Sequence, residues 1–451
     1  MAQSKSKCRK LKYVDRISDL PDSLICHILS FLPTKHAVAT AILATRWKQL
    51  WTMVPTLDFG EDDFVFRVLA LRKPFPVKKF RLVLRRVDVN QSHVLTWVSY
   101  AIEHGVQELH LLVKRNRTCE LPRSLFSCES LEVLELKGLI VLDCPPSVHL
   151  PNLKHLYLRK IEYANDDSFH RLLTGSPNLL RLHVLNEPYD NVNLVFNNPK
   201  LEYLNIDNQV EDPRFGKLQI NAPNLKFLIL NNSNFQDFSV GKGTNVVEAY
   251  VKLFERYQLQ PHEHENDGDC IVKLLKALPN VRNLTLRHNK SLSFASANDI
   301  PIFNNLSHLR LEVKCCKSHL LPILLQSSPN LENLILSKVD TEGPHESYWT
   351  EPVNVPKCLK SHLRTISLLQ FKGLKHELKL VTYMLENAKV LERMDILSGS
   401  SSYKKNFRIL KKLFELPRAS STCEFKFSTV IYLFYEFYIE LYFIMIAYVK
   451  F

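Results

Sequence analysis

The residues best suited to metal or covalent chemistry are a His-Glu-His-Glu run at 262–265 and ten cysteines spread over 451 residues. A zincin helix needs two histidines four positions apart, whereas His262 and His264 are two apart and stand in an acidic, polar segment. That segment reads as a solvated loop. The cysteines do not form two closely spaced pairs, which is the arrangement that a zinc site would require. We therefore expect no metal, no cofactor and no catalytic residue.

Other enzyme signatures are also missing from the sequence. It contains no phosphate-cradling glycine loop and no dinucleotide fingerprint, in line with only 11 glycines. No cysteine stands in a setting typical of a nucleophile. The first residues are polar and basic, without an apolar stretch of signal-peptide length, so we expect free thiols in the nucleus and/or cytoplasm. The chain is predicted not to be an enzyme.

The formal net charge of +13 is a local excess. Lysine and arginine concentrate at 1–12, 72–86 and 404–412, and the remainder of the chain is slightly acidic. A protein that wraps nucleic acid presents a continuous basic field to the phosphates. We expect no nucleic-acid partner, although phosphate contact through the first two stretches stays open as a rival hypothesis.

Short amphipathic helices are predicted between residues 15 and 60. Helical spacing places on one apolar stripe Leu24, Ile28, Leu29 and Leu32. Pro33 ends that helix, and a second is predicted over roughly 35–44. A third carries Trp47, Leu50 and Trp51. Spacing alone leaves open whether the stripe packs on the rest of the chain or contacts another protein.

The same segment closely resembles the F-box of plant F-box proteins. The matching elements are Asp15-Arg16-Ile17-Ser18, Leu20-Pro21, Ile28-Leu29-Ser30-Phe31-Leu32-Pro33, Ala37-Val38, Arg46-Trp47, Leu50-Trp51 and Val54-Pro55. In that family the segment docks on the Skp-type adaptor, which links it to the cullin scaffold of an SCF ubiquitin ligase. The resemblance implies an adaptor-binding surface made of Leu20, Pro21, Leu24, Ile28, Leu29, Leu32 and Pro33. It assigns the internal packing of the domain to Trp47, Leu50 and Trp51.

The middle of the chain repeats a six-residue pattern, L-x-x-L-x-L. Clear copies start at 131, 153, 179, 201, 225, 281, 306 and 331, and weaker copies start at 106 and 246. Several copies follow a Pro-Asn step, which ends the preceding element and favours a turn. Each unit predicts a short strand and a return segment whose apolar face is buried only by stacking on neighbours. The array resembles leucine-rich repeats, in the loose form seen in plant F-box proteins.

Strand alternation separates the core positions of each unit from its exposed positions. The fourth and sixth positions point inward, so the third, fifth and seventh line the concave sheet. Aromatic and arginine side chains, which dominate protein-binding hot spots, are frequent there. The candidate face for an unknown protein substrate comprises His155, Tyr157, Arg159, Arg181, His183, Tyr203, Phe227, Tyr250, Arg287 and Arg310.

The C-terminal part resembles the FBD domain that closes many plant F-box and leucine-rich-repeat proteins. Its marks are Trp349, Pro352, Val355-Pro356-Lys357-Cys358-Leu359, Phe371-Lys372-Gly373 and Leu416-Pro417-Arg418-Ala419-Ser420. The hydrophobic tail at 428–451 departs from that pattern. It reads as an extra element of the terminal domain, a gene-model artefact or a membrane anchor. We do not expect an anchor, because Glu436 and Glu440 would lie near the middle of the span.

The sequence thus predicts an α/β solenoid. It has a basic leader (1–14), a small all-α F-box (15–60), an irregular leucine-rich-repeat region (61–345), an α/β FBD-like module (346–427) and an atypical tail (428–451). The resemblance implies a substrate-recognition subunit of an SCF-type ubiquitin ligase. The alternative is a non-catalytic scaffold or nucleic-acid-binding repeat protein with a vestigial F-box.

Overall fold

The computed structural model describes residues 17, 19–60, 64–85, 90–114, 118–186, 194–208, 215–231, 235–241, 243–252, 267–288, 300–313, 320–338, 349 and 351–429. The basic leader, the His-Glu run at 262–265 and the tail from 430 onward lie outside these ranges. The chain divides into two compact units, residues 1–176 and 177–451. Within the described ranges, no helix combines the length and apolar character needed to cross a bilayer.

The N-terminal part of the first unit is helical. It contains α1 (Asp22–Leu29), α2 (Thr34–Ala39) and α3 (Trp47–Leu50), with 3-10 turns at Thr40–Ile42 and Trp51–Met53. Pro21 and Pro33 immediately precede α1 and α2, where their fixed φ is compatible with a helix start and no helical N–H is lost. The second helix is shorter than predicted, because Thr40 donates its hydroxyl to the Ala37 carbonyl at 2.6 Å and the chain tightens into a 3-10 turn there.

A parallel sheet fills the rest of the first unit. Its strands are β1 (Thr56–Phe59), β2 (Lys79–Leu84), β3 (Glu108–Val113), β4 (Cys119–Glu120), β5 (Val133–Leu142) and β6 (His155–Tyr163). The strand order is β1-β2-β3-β5-β6, and the short β4 pairs with β5. The return segments contain α4 (Val65–Leu71), α5 (Gln91–Glu103), a 3-10 turn (Arg123–Ser127) and α6 (Asp166–Thr174).

The second unit continues the same alternation of parallel strands and return segments. Its strands are β7 (Arg181–Asn186), β8 (Leu194–Asn197), β9 (Tyr203–Asn208), β10 (Phe215–Asn221), β11 (Phe227–Asn231), β12 (Phe235–Val240), β13 (Glu248–Lys252), β14 (Asn283–His288), β15 (His308–Val313), β16 (Asn333–Lys338), β17 (Thr365–Phe371), β18 (Arg393–Ser398) and β19 (Glu424–Thr429). Its helices are α7 (Asp267–Lys276), α8 (Leu320–Ser327), α9 (Lys357–Ser361), α10 (Lys375–Asn387) and α11 (Tyr403–Phe414).

Two parallel sheets form in this second unit. The main one runs β7-β9-β11-β13-β14-β15-β16-β17-β18-β19, and the return segments supply a smaller one with the order β12-β10-β8. The smaller sheet was not predicted. It forms where the return segments are short stretches rich in Phe, Val and Ile that favour extended backbone over helix.

The predicted repeat register is confirmed by the strands. Each of the ten units starts its strand at the third position, as the unit at 131 does with β5 at Val133. Equivalent positions pair across neighbouring strands, as Val133 does with His155. The fourth and sixth positions are buried throughout, except that Leu336 is half-buried. The α/β solenoid class follows from this open stack of parallel strands.

Besides the short β4, five further strands join the main sheets beyond the predicted units. β1 and β2 precede the array, and β17, β18 and β19 follow it. The FBD-like stretch therefore extends the sheet of the repeats in register, with Asn333 of β16 opposite Thr365 of β17. For the first four of these strands, the six-residue segment that starts two residues before the strand also has apolar side chains at its first, fourth and sixth positions. Val, Phe, Ile or Met replaces some of the leucines there, as in the segment with Val54, Leu57 and Phe59.

Candidate functional site

The F-box segment builds a small core of its own. Buried side chains of this core are Ile25, Leu29, Ala37, Trp47, Leu50 and Val54. Trp51 is also buried, so all three residues predicted to pack the domain lie inside it. The structure corrects the expected location of Leu29. Its side chain was expected on the adaptor-binding surface, but it is only 1% exposed. It follows Ile25 by one helical turn and packs with it in the F-box core.

The neighbouring face of α1 remains open to solvent. Leu24 is 48% exposed, Ile28 45% and Leu32 37%. Phe31, which was not among the predicted contact residues, is 75% exposed. The spacing of these four residues places them along one side of α1 and the turn that follows. We call Leu24, Ile28, Phe31 and Leu32 the F-box apolar patch.

The other predicted adaptor contacts border this patch. Pro21 and Pro33 are exposed, and Leu20 is half-buried against the F-box core. Arg46 fixes this end of α1, because its Nη2 donates to the Leu20 carbonyl at 2.7 Å and to Asp22 Oδ1 at 2.5 Å. Two further apolar side chains, Ile42 and Leu43, are 84% and 67% exposed. Exposure of this extent on a small domain indicates a surface for another protein.

The third, fifth and seventh positions of the repeats form an exposed sheet face. In the first compact unit this face is an ionic network. Arg81 donates to Asp58 at 2.7 Å, and Lys79 pairs with Glu108 at 2.8 Å. His110 lies between two carboxylates, with Nδ1 2.5 Å from Glu135 and Nε2 3.4 Å from Glu108. Lys137 pairs with Glu135 from two positions along the same strand.

Burial and hydrogen bonding set the pKa values in this network. The hydrogen bond with His110 holds the pKa of Glu108 and that of Glu135 at about 2, against the opposing effect of burial. Burial lowers the pKa of His110, but hydrogen bonds to Glu108 and Glu135 outweigh it, so the pKa is raised above 6.5. The imidazolium and its two carboxylates therefore stabilise one another.

A pH-dependent stability follows from these directions. The contribution of His110 is full below its ordinary pKa of 6.5 and is lost as the pH rises through its raised folded value. The contribution of the two glutamates is full above 4.5 and is lost as the pH falls toward 2. We expect His110→Gln to lower the urea midpoint most between pH 4.5 and 6.5 and least at alkaline pH. The exposed His170→Gln is the control, and an equal loss at alkaline pH would contradict the assignment.

The same contacts bear on the basic stretch at 72–86. Arg72 is 7% exposed and donates to the carbonyls of Val54, Phe75 and Pro76. Lys79 and Arg81 are paired with carboxylates on the sheet face. Part of the charge that the rival hypothesis assigns to phosphate binding is therefore already in contact with carbonyls and carboxylates of this chain.

In the second unit the sheet face begins with a row of neighbouring rings. The His183 and Tyr203 ring centroids are 4.7 Å apart, and those of Tyr203 and Phe227 are 6.4 Å apart. Tyr203 departs from its predicted exposure, because the flanking rings leave only 6% of it accessible. His183 and Phe227 remain half-buried, and Arg181 lies opposite Tyr203 in the register. The rings form an aromatic platform.

Further along this face a buried carboxylate collects two arginines. Glu312 is 8% exposed and accepts from Arg310 Nε at 2.8 Å, and Arg287 Nε lies 3.5 Å from its other oxygen. Burial, then the charge of Glu312, raises the pKa of Tyr250. Burial, then the charge of Arg287, lowers the pKa of Lys252. These side chains form one partly desolvated polar cluster.

The structure therefore groups some predicted face residues and separates others. Tyr250, Arg287 and Arg310 belong to the polar cluster, whereas His155, Tyr157 and Arg159 lie on the sheet face of the first unit. The important residues absent from the prediction are Lys79, Arg81, Glu108, His110, Lys252 and Glu312. All but Lys79 and Arg81 occupy third, fifth or seventh positions of predicted repeats, so applying the rule to every repeat would have found them.

Comparison with known proteins matches both parts of this architecture. The F-box domain family matches residues 17–58, and the family described as At1g61320/AtMIF1, LRR domain, matches residues 68–421. The F-box/FBD/LRR-repeat protein At4g26340 of Arabidopsis thaliana is 31% identical, covering 92% of this chain and 100% of its own length. The FBD-associated F-box protein At4g10400 of the same plant is 32% identical, with the same two coverages. The chain belongs to the F-box/FBD/leucine-rich-repeat family.

Membership in this family bears on the role of the two surfaces described above. F-box/FBD/leucine-rich-repeat proteins are generally non-catalytic adaptors, and both surfaces described above are suited to contact with proteins. Among the described residues, no group of three or more His, Cys, Asp and Glu side chains is arranged to hold a metal ion. The leucine-rich-repeat match extends to residue 421, across β17 and β18, two of the FBD-like strands that continue the repeat sheet.

Proposed function

We propose that this protein is the substrate-recognition subunit of an SCF-type ubiquitin ligase. Its F-box docks a Skp-type adaptor, the adaptor connects it to a cullin scaffold, and the repeat array recruits a protein target. The observation that carries the proposal is the F-box apolar patch, which leaves Leu24, Ile28, Phe31 and Leu32 in water beside a complete core. Burial of those four side chains requires a partner, since their own domain is already packed.

The contribution to ubiquitin transfer is positional. Holding a target beside the ubiquitin-charged enzyme raises its effective concentration there, so no reactive group of this chain is needed. Of the described cysteines, Cys144 and Cys358 have pKa values raised by burial to about 12 and about 11, which makes them poor nucleophiles. The role of the chain is therefore to supply two binding surfaces, one for the adaptor and one for the target.

The target-binding surface is assigned to the exposed sheet face. The aromatic platform offers apolar area at low entropic cost, because its rings are already held by one another. The polar cluster around Glu312 adds arginine and tyrosine groups, which are frequent in binding hot spots. Support for this assignment also comes from the geometry of stacked repeats, which present equivalent side chains next to one another over an extended surface.

The proposal is tested by proximity labelling in plant cells under proteasome inhibition. The double variant Leu20→Ala/Pro21→Ala is expected to lose the adaptor and cullin while still labelling the target. Phe227→Ala is expected to keep the adaptor and to reduce target labelling by about tenfold. Phe75→Ala removes an exposed ring outside the face and serves as the matched control. Retained adaptor labelling in the double variant would contradict the docking assignment.

The proposed compartment is the nucleus and/or the cytoplasm. The described cysteines are free thiols, which fits a reducing compartment. Imaging of the full chain with a fluorescent fusion checks this part of the proposal, and retention of the signal in the secretory pathway would contradict it.

A further inference from the structure

Helix α11 carries charges that its own fold does not use. Its buried face consists of Asn406, Ile409 and Leu413. Basic side chains on the rest of the helix are Lys404, Lys405, Arg408, Lys411 and Lys412. In the part of the chain that the structure describes, no carboxylate lies within ion-pair distance of them. We call these five residues the α11 basic surface.

Helix stability does not account for this arrangement. Cations in the last turn are favourable to the helix dipole, which explains Lys411 and Lys412. Lys404 and Lys405 stand in the first turn, where the dipole favours acids, and the first turn contains none. Repulsion between like charges four positions apart, as between Lys404 and Arg408, adds to the cost. An external anion would relieve both penalties.

An apolar stripe runs beside these charges. Tyr403 is 82% exposed, Phe407 59% and Phe414 61%. Phe407 follows Tyr403 by four positions and Phe414 by seven more, so the three rings share one side of the helix. At the end of the stripe, Arg418 lies over the rings of Phe414 and Phe425, at 5.9 and 4.6 Å from their centroids. The helix therefore presents aromatic and cationic side chains together.

A cleft of about 550 Å³ opens on the basic side of α11. It is lined by Lys375, Leu378, Lys379 and Thr382 of α10, by Lys412 of α11, and by Glu351 and Gly373. Lys375 and Lys379 also have no carboxylate within ion-pair distance in the described ranges. Gly373 keeps α11 close, since a Cβ there would meet Ile409 Cγ1 at 2.5 Å. The cleft thus collects three ammonium groups in a concave space.

We propose that the α11 basic surface and this cleft bind an acidic polypeptide segment with apolar anchors, separately from target recruitment by the sheet face. The exposed charges attract an anionic partner, and the exposed rings favour apolar groups next to the anionic ones. A concave cleft admits individual carboxylate side chains, whereas a planar bilayer cannot enter it. Glu351 in the lining disfavours a continuous phosphate backbone but leaves room for spaced carboxylates.

The test measures fluorescence polarisation with the purified full-length protein. The probe is a fluorescein-labelled peptide of glutamates interrupted by leucines, and its lysine counterpart is the negative probe. Lys404→Glu/Lys405→Glu is expected to weaken binding by at least about tenfold. The same change improves the first-turn charge, so lost binding does not arise from an unfolded helix. Phe407→Ser is expected to weaken binding by about fivefold.

The matched control is Lys357→Glu/Lys360→Glu. These two exposed lysines of α9 lie outside the cleft lining, and their replacement changes the net charge equally. We expect less than about a twofold effect from this control. Equal losses of peptide affinity in both double variants would show that net charge alone causes the effect, and would overturn the proposal. So would tighter binding of phosphatidylserine vesicles or single-stranded oligonucleotide than of the peptide, which would assign the surface to a membrane or to nucleic acid.

Discussion

Ile28→Asp is expected to weaken binding of a Skp-type adaptor by about 100-fold or more, while leaving the F-box folded. Ile28 is 45% exposed in the centre of the F-box apolar patch, so a carboxylate there is solvated in the free protein. In the complex the same carboxylate would be buried without a partner, and loss of a central apolar anchor alone costs about 2–4 kcal/mol. Isothermal titration calorimetry with purified adaptor measures the change.

The adjacent residue gives the contrasting outcome. Leu29→Ala removes a side chain that is 1% exposed in the F-box core, so the expected loss is about 2–5 kcal/mol of unfolding free energy. Hydrogen exchange of the α1–α3 amides detects that loss directly. Leu71→Asp places a carboxylate on a residue that is 67% exposed outside the patch and should leave adaptor binding unchanged. If Ile28→Asp retained full affinity, the patch would not be the docking surface.

Gly138→Ala is expected to destabilise the repeat sheet of the first unit by about 2–6 kcal/mol. Gly138 has φ +99°, a region that costs other residues about 1–3 kcal/mol. A Cβ there would also lie 2.0 Å from the Val113 carbonyl oxygen, a backbone atom of the neighbouring strand that cannot rotate away. Overpacking of this kind adds about 1–3 kcal/mol. The position coincides with the register shift of β5 between Lys137 and Ile140.

Variants at two other glycines allow the backbone cost of the positive φ to be measured apart from the steric cost of the added Cβ. Gly105 has φ +72°, and no atom lies within 4 Å of the point where an alanine Cβ would stand, so Gly105→Ala measures the backbone cost alone. Gly60 has open space and no positive φ, so Gly60→Ala should be close to neutral. Chemical denaturation followed by circular dichroism ranks the three variants. A Gly138→Ala protein as stable as Gly105→Ala would show that strands β3 and β5 separate without penalty.

The sequence carried enough information for the family, the strand positions and much of the repeat core. Leucine spacing located ten strands, since only alternate residues of a strand can face the stack. Pro33 marked the boundary between the first two F-box helices, because a proline cannot continue the helix that precedes it. The F-box tryptophans were assigned to the interior from the family resemblance, and the structure places them there.

Other features depended on tertiary neighbours and could not be read from spacing. The stripe of α1 contains Ile28 and Leu29 side by side in the sequence, and the core side chains that pack against α1 from the rest of the F-box decide which of them is covered. Likewise Tyr203 has the right strand position for exposure but is enclosed by His183 and Phe227 from two adjacent strands. Helical and strand periods give a direction from the backbone, whereas exposure depends on what lies in that direction.

The basic residues show the same division between sequence and tertiary structure. The sequence determined that positive charge concentrates at 72–86 and 404–412. Only the fold decided that Arg72, Lys79 and Arg81 are used by carbonyls and carboxylates of nearby strands, while the α11 basic surface has no such partners among the described residues. Ion pairing requires a few ångströms of separation, and strand stacking brings together residues more than 20 positions apart, so local charge density cannot show which cations are already neutralised.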